Sequence, residues 1–468
     1  GILRNLICFC PLFLKKNKNY IVKHTKNIFL ISSLILSILN AHVGSPSPIK
    51  VFQPNGNEIT IHVKGDHLHN WHDYNGWTIV KDNDWWVYAL GNNGKELIPS
   101  QIKVDYTDNP NEINPNIEKG IKPDPYQLLD NSPIPNLQLT RSDTFRVPLI
   151  LVEFPDAGAV YESSQLDSMM NQQGYTHLNY DNTGSFRDFY QEISYGQFLP
   201  IADISRWFTA PNNHDYYGYN NGYQRVRQLV RDMVDSLEAS GFNWSIYDND
   251  GDGYVDALTL IHQGPGAEEG DQTNIWSHKW NLGNLAVSYD GVIIDSYNMN
   301  PEIQNGNIVA IGVLAHEFGH SLGLPDLYDT DYSSTGAGKL SLMASGSWGT
   351  SGNTPWYPSS MVGWIKNELG WVDIVEIDED QTNVAVEQSY SSNIIYRVNH
   401  SQVEEEYWLI ENRQKIGSDT LITTPGLTIW HINENIAQGW APNNDEPYYG
   451  VGLEQADGMF ALENGGPS

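Results

Sequence analysis

The pattern of apolar and polar positions in residues 42–105 predicts short strands joined by tight turns. Residues 58–63 show the pattern best, because isoleucine and valine alternate there with polar residues. Two more strand-like runs lie at residues 77–80 and 85–90. Two Asn-Gly pairs, at residues 55–56 and 75–76, favour hairpin turns. We therefore expect a β-rich N-terminal domain over residues 42–105. Residues 106–140 are polar and rich in proline, which predicts a linker.

From residue 141 onwards, apolar strands alternate with amphipathic helices. Residues 147–154 and 255–262 are apolar runs typical of buried strands. Between these runs, apolar residues at helical spacing predict an amphipathic helix, at Val226, Leu229, Val230, Met233, Val234 and Leu237. Strand-like segments return after residue 372, at residues 407–410 and 427–430. The pattern predicts an α+β chain with a central domain at 141–372 and a β-rich C-terminal domain at 373–468, which we expect to be truncated.

A helix is also predicted around residue 315, and it carries the strongest candidate chemistry. Asn307 is the expected N-cap. The apolar stripe of the helix consists of Ile308, Ile311, Leu314, Ala315 and Phe318. His316 and His320 lie four positions apart on this helix, so both imidazoles can bind one metal ion. Glu317 follows the first histidine and suits a general base.

The residues after this helix suggest the third metal ligand. Gly323 permits a left-handed turn, which can return Asp326 to the two histidines. Three protein ligands and one open position are typical of catalytic zinc. Asp329 and Asp331 are the competing acids, but the Gly-x-x-Asp spacing favours Asp326. A distant glutamate as third ligand is disfavoured, because the next glutamate after Glu317 is Glu368.

Residues 248–256 resemble a calcium-binding loop. The pattern places acidic or carbonyl oxygens at the expected positions, at Asp248, Asp250, Asp252, Tyr254 and Asp256. Thr259 stands where an EF-hand has its glutamate, and a strand-like run follows instead of a helix. We therefore predict a structural calcium site that is not an EF-hand, with a solvated acidic turn as the alternative.

Charge and the N-terminal sequence indicate export. Basic residues precede a short apolar run within residues 1–41, which predicts a signal peptide, with a membrane anchor as the alternative. The chain has 26 Lys+Arg and 57 Asp+Glu, and removal of this segment removes six bases and no acids, which leaves a net charge of −37. It also removes Cys8 and Cys10, so the exported chain has no disulfide. The acidity argues against nucleic acid or anionic membrane as a partner.

Several segments together resemble the immune inhibitor A family of secreted bacterial metalloproteases, which is related to the metzincin zinc endopeptidases. The segments that carry this resemblance are residues 316–329, 341–348, 147–156, 184–190, 194–198, 275–278 and 407–414. Residues 53–56 and 65–66 resemble the propeptide region of the family. In all, the resemblance covers roughly residues 50 to 465. It implies a metzincin-like zinc protease domain at 141–372, preceded by a prosegment.

The resemblance also implies roles for single residues. Met343 would be the methionine of the turn beneath the zinc, where its thioether packs under the histidine ligands. Ser345 stands where some metzincins have a tyrosine, so the group that stabilises the oxyanion is open; Tyr328 is near in sequence but spacing does not assign it. Gly65-Asp66 is similar to a Gly-Asp pair of the related astacins, which suggests that Asp66 occupies the open zinc position in a precursor.

The resulting prediction is a secreted zinc endopeptidase that acts on extracellular proteins and peptides, is made as a precursor and is stabilised by calcium. The alternative is a non-catalytic, calcium-dependent surface-binding protein. In such a protein the 15 Trp and 26 Tyr could form aromatic platforms that bind sugars or cell-surface polymers. An inactive adhesin would be expected to lose the base or a ligand, and the whole set is present here. His262 and His278 are further candidate ligands, although isolated histidines are more often packed in a core.

Overall fold

The computed structural model describes residues 40–41, 43–94, 96–124, 144–177, 179–180, 184–439 and 441–466. Across these ranges, helices and strands are mixed, as the sequence predicts. Almost all of the predicted signal peptide, with both cysteines, lies outside the described residues, so its role stays a prediction. No helix within the described ranges is long and apolar enough to cross a bilayer.

The N-terminal part is a six-stranded antiparallel meander in which each strand pairs with the next. It follows the two-residue strand β1 (Asn40–Ala41) and consists of β2 (Ile49–Phe52), β3 (Glu58–Gly65), β4 (Asn70–Tyr74), β5 (Trp77–Asp82), β6 (Trp85–Asn92) and β7 (Leu97–Lys103). The predicted Asn-Gly hairpin joins β4 to β5: Asn75 and Gly76 have φ of 52° and 82°, and Tyr74 pairs with Trp77.

The first part of the predicted linker lies against this sheet. Ile117 is 1% exposed and packs in the small core of the meander. The Asp124 N–H donates to the Gly94 carbonyl at 2.6 Å. We call residues 43–124 the N-terminal module; residues 125–143 lie outside the described part of the chain.

The central sheet has the strand order β1-β11-β14-β10-β8-β9, with β15 also paired to β14. The described strands between residues 144 and 308 are β8 (Thr144–Glu153), β9 (Leu199–Thr209), β10 (Leu258–Pro265), β11 (His278–Asn281), β12 (Val287–Tyr289), β13 (Val292–Ile294), β14 (Ser296–Gln304) and β15 (Asn307–Ile308). Strands β9, β8, β10 and β14 are parallel, and β11 runs antiparallel beside β14. Strands β12 and β13 form a separate hairpin.

Helices cover both faces of the central sheet. Within the described residues, the α-helices are α1 (Ser163–Asn171), α2 (Phe186–Ile193), α3 (Tyr223–Glu238), α4 (Ile311–Ser321), α5 (Gly363–Glu368) and α6 (Glu434–Ala437). Along β8, Leu149 and Leu151 belong to the core beneath α2 and α4, whereas Ile150 and Val152 belong to the core beneath α3. This alternation is the two-residue period of a strand that is buried on both faces.

The predicted start of the helix that carries the histidines was wrong. Asn307 and Ile308 form strand β15, and α4 begins at Ile311 after an Ala310 N-cap without a side-chain hydrogen bond. Pairing of β15 with β14 satisfies the backbone of Ile308, and the Gln304 side chain accepts the Ala310 N–H at 3.2 Å. Tertiary pairing has therefore replaced the local capping that the sequence indicates.

The predicted glycine turn after α4 is present. Gly323 has φ of 85°, its N–H donates to the His320 carbonyl, and the Leu324 N–H donates to the Gly319 carbonyl. These two bonds form a Schellman motif, which ends the helix and reverses the chain towards it.

The C-terminal part is a five-stranded sheet in sequence order. Its strands are β16 (Asp373–Glu376), β17 (Ile394–Asn399), β18 (Glu406–Arg413), β19 (Gly426–Asn433) and β20 (Val451–Leu453). Leu409 of β18 and Trp430 of β19 belong to the same core as α4.

Candidate metal centre

Three side-chain atoms converge at the C-terminal half of α4. The Nε2 atoms of His316 and His320 are 3.1 Å apart, and Asp326 Oδ1 lies 3.1 Å from the first and 3.2 Å from the second. All three side chains are buried. Ligands of a tetrahedral zinc ion lie about 3.3 Å from one another, because zinc bonds to nitrogen and oxygen are about 2.0–2.1 Å long. The triangle therefore has the size that one zinc ion requires.

A backbone carbonyl orients each imidazole from behind. His316 Nδ1 lies 2.9 Å from the Leu342 carbonyl oxygen, and His320 Nδ1 lies 2.8 Å from that of Leu324. Because a carbonyl oxygen only accepts, each Nδ1 carries the proton and each Nε2 presents a lone pair. Two lone pairs and a carboxylate oxygen within 3.2 Å of one another repel unless a cation lies between them. The donor set therefore fits a divalent metal ion.

The electrostatic environment supports the ligand form of His320. Burial lowers the pKa of His320, which favours the neutral imidazole that binds metals.

Glu317 is buried beside the three ligand atoms. Neither of its carboxylate oxygens has a hydrogen-bond partner among the described residues. Burial raises its pKa well above the usual range, and the nearby charge of Asp326 adds to this effect. A buried carboxyl group without partners costs stability, so its position indicates a chemical role, and proton transfer is the role that its neighbours suit.

The Met343 side chain packs closely against Gly319 of α4. A Cβ added at Gly319 would lie 2.5 Å from the Met343 sulfur. The Leu327 N–H donates to the Met343 carbonyl at 2.7 Å, and the preceding carbonyl, of Leu342, accepts from His316. The methionine segment is thus connected to one histidine and to the residue that follows Asp326, and its role as the floor of the site stays a prediction.

The competing residues are engaged elsewhere. Asp329 accepts the N–H and the hydroxyl of Ser334, each at 2.7 Å. His262 Nδ1 lies 2.9 Å from the Gln263 carbonyl oxygen, and His278 Nδ1 lies 2.6 Å from that of Trp276. Among the described residues, none of these side chains, nor Asp331, joins a group that could hold a metal ion.

The N-terminal module places residues 65–69 over the candidate centre. Asp66 is 3% exposed, and its Oδ2 accepts hydrogen bonds from the hydroxyls of Tyr328 at 3.3 Å and Tyr332 at 3.0 Å. Burial raises the pKa of Asp66 to about 7, and the charge of Asp326 contributes. Within the described chain, however, Asp66 is not part of the histidine–aspartate cluster, so direct binding of Asp66 to the metal stays a hypothesis.

Backbone geometry and further contacts hold this loop in place. Gly65 has φ of 92°, and a Cβ there would lie 1.8 Å from the His69 carbonyl oxygen, so the turn requires glycine. His67 is buried, and Tyr223 donates to its carbonyl at 2.9 Å. Lys122 donates to the carbonyl of Asp331 at 2.9 Å from the far end of the module.

The predicted calcium loop brings three of its acids together. Carboxylate oxygens of Asp248, Asp250 and Asp256 lie within 4.8 Å of one another, whereas the Asp252 carboxylate is outside this group. Burial raises the pKa of Asp256 to about 7. The Tyr254 carbonyl is the remaining predicted ligand, and calcium binding at this loop stays a prediction.

The loop is also part of the structural frame of the central sheet. Asn249 accepts the Arg146 N–H at 2.8 Å and donates to the Arg146 carbonyl at 3.1 Å. Arg146 is near the start of β8, so these two hydrogen bonds connect the acidic loop to the strand.

Sequence reasoning did not find the carbonyls of Leu342 and Leu324 or the role of Tyr332. Backbone carbonyls leave no mark in a sequence. Tyr332 is 266 positions from Asp66, so no local spacing could have paired them.

Comparison with known proteins identifies the central domain. The family model described as immune inhibitor A peptidase M6, catalytic domain, matches residues 141–372. Immune inhibitor A of Bacillus thuringiensis subsp. alesti is 32% identical over 244 residues, which cover 43% of this chain and 35% of that protein. Pre-pro-metalloprotease PrtV of Vibrio cholerae serotype O1 (strain M66-2) is 31% identical over 286 residues, 50% of this chain and 30% of that protein. The chain thus spans about a third of the length of these relatives.

Proposed function

Residues 141–372 belong to the immune inhibitor A peptidase family, and on this premise we propose that the protein is a secreted zinc endopeptidase that cleaves extracellular proteins. The observation that carries the proposal is the triangle of His316, His320 and Asp326, with edges of 3.1–3.2 Å, beside the buried Glu317. The names of the two relatives, an immune inhibitor and a metalloprotease, are consistent with it.

The residues around the site have complementary parts in peptide-bond hydrolysis. His316, His320 and Asp326 would hold the zinc ion, which when bound would lower the pKa of water and polarise the scissile carbonyl group. Glu317 would accept a proton from the water molecule while the water oxygen bonds to the carbonyl carbon. It then transfers that proton to the leaving nitrogen as the C–N bond breaks. The carbonyls of Leu342 and Leu324 keep both imidazoles in the orientation that binds metal.

We further propose that the chain is made as a latent precursor, in which the N-terminal module hinders the approach of a substrate. In support of this, Asp66 and His67 are buried, and Asp66 accepts from Tyr328, two residues after the candidate ligand Asp326. Cleavage after the module, in residues 125–140 of the predicted linker, would release it. Calcium at the 248–256 loop would stabilise the sheet that supports the site.

Zinc analysis combined with a protease assay tests the proposed function. The full chain, cut in residues 125–143 by limited proteolysis, is expected to contain one zinc ion and to hydrolyse casein. A zinc chelator should abolish hydrolysis, and added zinc should restore it. A zinc-loaded chain that binds proteins or sugars but hydrolyses no peptide would overturn the proposal in favour of the surface-binding alternative.

A further inference from the structure

Two tyrosine hydroxyls meet at one carboxylate oxygen beside the candidate metal centre. Tyr328 and Tyr332 donate to Asp66 Oδ2 at 3.3 Å and 3.0 Å. Their rings stack on each other, with centroids 5.9 Å apart and an interplanar angle of 27°. Asp66 Oδ1 is used separately, by backbone N–H groups of its own loop. The two hydroxyls therefore form a preformed site for one negatively charged oxygen.

This pair is fixed next to the residues of the proposed reaction. Tyr328 is two residues after Asp326, and its ring stacks on that of His316 with centroids 6.4 Å apart. Tyr328 is buried, and it is close enough to Asp326 and Glu317 for their charges to act on its hydroxyl. The pair therefore lies next to two of the candidate metal ligands.

Both hydroxyls are suited to donate and not to ionise. In the structure both hydroxyls donate to Asp66, and a tyrosine phenol keeps its proton near neutral pH because its ordinary pKa is about 10. Donors that are already oriented towards a developing charge stabilise it without reorganisation.

We propose that Tyr328 and Tyr332 donate hydrogen bonds to the oxygen of the scissile carbonyl as it becomes negative, and that Asp66 engages the same two donors in the precursor. The inference rests on the proposed function, since it assigns the oxyanion-stabilising group of that reaction. It also accounts for Ser345, which stands where related enzymes would supply a tyrosine. Asp66 would thus imitate the charge that the enzyme stabilises during catalysis.

The catalytic part of the inference is tested by Tyr328→Phe, Tyr332→Phe and the double variant. Each is prepared as the full chain, loaded with zinc and cut in residues 125–143. Loss of one oxyanion donor typically lowers kcat by about 10²-fold or more. We expect that loss for at least one single variant, with KM nearly unchanged, and a parallel loss of affinity for a phosphinate peptide that carries the same charged oxygen. Tyr217→Phe is the matched control, because Tyr217 is buried in the other core and its hydroxyl accepts from Asn212.

The precursor part has a readout that needs neither zinc nor activity. The N–H groups of Leu68 and His69 donate to Asp66, so hydrogen exchange at these two amides reports how firmly the loop is held. In the uncut, zinc-free chain, the double tyrosine variant should exchange there at least tenfold faster than wild type. Asp66→Asn should reduce the additional effect of the tyrosine changes.

The outcomes separate this inference from the proposed function. If wild type shows no chelator-sensitive hydrolysis, the proposed function fails and the inference with it. If wild type hydrolyses casein and the double tyrosine variant keeps its kcat and its phosphinate affinity, the inference alone is overturned. A loss of kcat that Tyr217→Phe reproduces, or unchanged exchange at residues 68–69, contradicts it equally.

Discussion

At the scale of single residues, the candidate centre consists of groups whose burial is costly unless they act together. Glu317 is the clearest example, because its buried carboxylate has no hydrogen-bond partner among the described residues. It follows His316 directly, and the proposed general-base role would account for a buried carboxyl group at this position.

Replacement of Glu317 by glutamine should separate metal binding from catalysis. Glu317→Gln keeps the size of the side chain but cannot accept a proton, so we expect full zinc content and a loss of kcat of about 10²–10⁴-fold. Zinc analysis and casein hydrolysis on the cut full chain measure the two effects. Near wild-type hydrolysis by this variant would refute the role of Glu317. His320→Ala serves as the contrast, since it should lose zinc as well as activity.

Glu269 gives a pH-dependent prediction away from both candidate metal sites. Burial raises its pKa from 4.5 to about 7, although its carboxylate accepts the Asn305 N–H at 2.6 Å. The unfolded chain releases this proton near pH 4.5 and the folded chain only near pH 7. The stabilising contribution of Glu269 is therefore full below about pH 4.5 and is lost as pH rises to about 7.

Glu269→Gln should consequently flatten the pH dependence of stability in that window. The difference from wild type is expected to be about 1–3 kcal/mol between pH 4.5 and 7. Thermal unfolding of both proteins across this range measures it. Glu379→Gln removes an exposed carboxylate and should leave the pH dependence as in wild type. Parallel curves for wild type and Glu269→Gln would contradict the raised pKa.

The residues of the site were predictable where one short segment carries them. His316, Glu317, His320 and Asp326 fall within eleven residues, so helical spacing and one glycine turn suffice to place them. The donors to Asp66 could not be predicted in the same way, because they come from a loop 262 and 266 positions away. Contacts of that kind depend on tertiary packing.

At the scale of elements, local patterns predicted most strands and failed where pairing decides the outcome. The alternation at residues 58–63 and the Asn75-Gly76 turn have their expected structures, because each follows from side-chain period and backbone preference. Asn307 and Ile308 fit a helix start equally well in sequence. They form a strand because β14 offers backbone partners that no sequence pattern reveals.

The acidic loop at residues 248–256 should lose stability without calcium. Asp248, Asp250 and Asp256 then repel one another, and the loop holds the start of β8 through Asn249. Calcium at about one hundred times its Kd would add about 2.7 kcal/mol to the free energy of unfolding. Calcium removal should therefore lower Tm by about 5 °C or more. Differential scanning calorimetry with a calcium-selective chelator, followed by readdition of calcium or zinc, measures this.

A variant of the loop should reproduce the effect of calcium removal. Asp250→Ala is expected to lower Tm by a similar amount and to abolish the response to calcium, whereas Asp378→Ala, at an exposed position, should retain it. A wild-type Tm that calcium does not change would exclude a structural ion at this loop.

At the scale of the whole molecule, the N-terminal module and the central domain meet at the candidate active site. Asp66 and His67, in one loop, and Lys122, near the end of the module, contact the central domain. Asp66 accepts from the hydroxyls of both proposed catalytic tyrosines. Release of the module should therefore depend on this residue more than on the surrounding surface.

Replacement of Asp66 should weaken latency in the uncut full chain. Asp66→Ala removes the acceptor of both tyrosine hydroxyls and of two backbone N–H groups, so we expect basal casein hydrolysis to rise at least tenfold. Glu118→Ala, which removes an exposed carboxylate of the same module, should stay as latent as wild type. A precursor that is equally latent with Asp66→Ala would show that the loop does not block the site through this side chain.

The order of the two parts along the chain has a consequence in time. Residues 43–124 are synthesised before residues 311–326, so the meander can fold while the helix with the histidines is still absent. In the proposed precursor, the inhibitory module would already be present when that helix forms. The cell that makes this chain would then be protected from self-digestion by the direction of translation itself, before any separate inhibitor is needed.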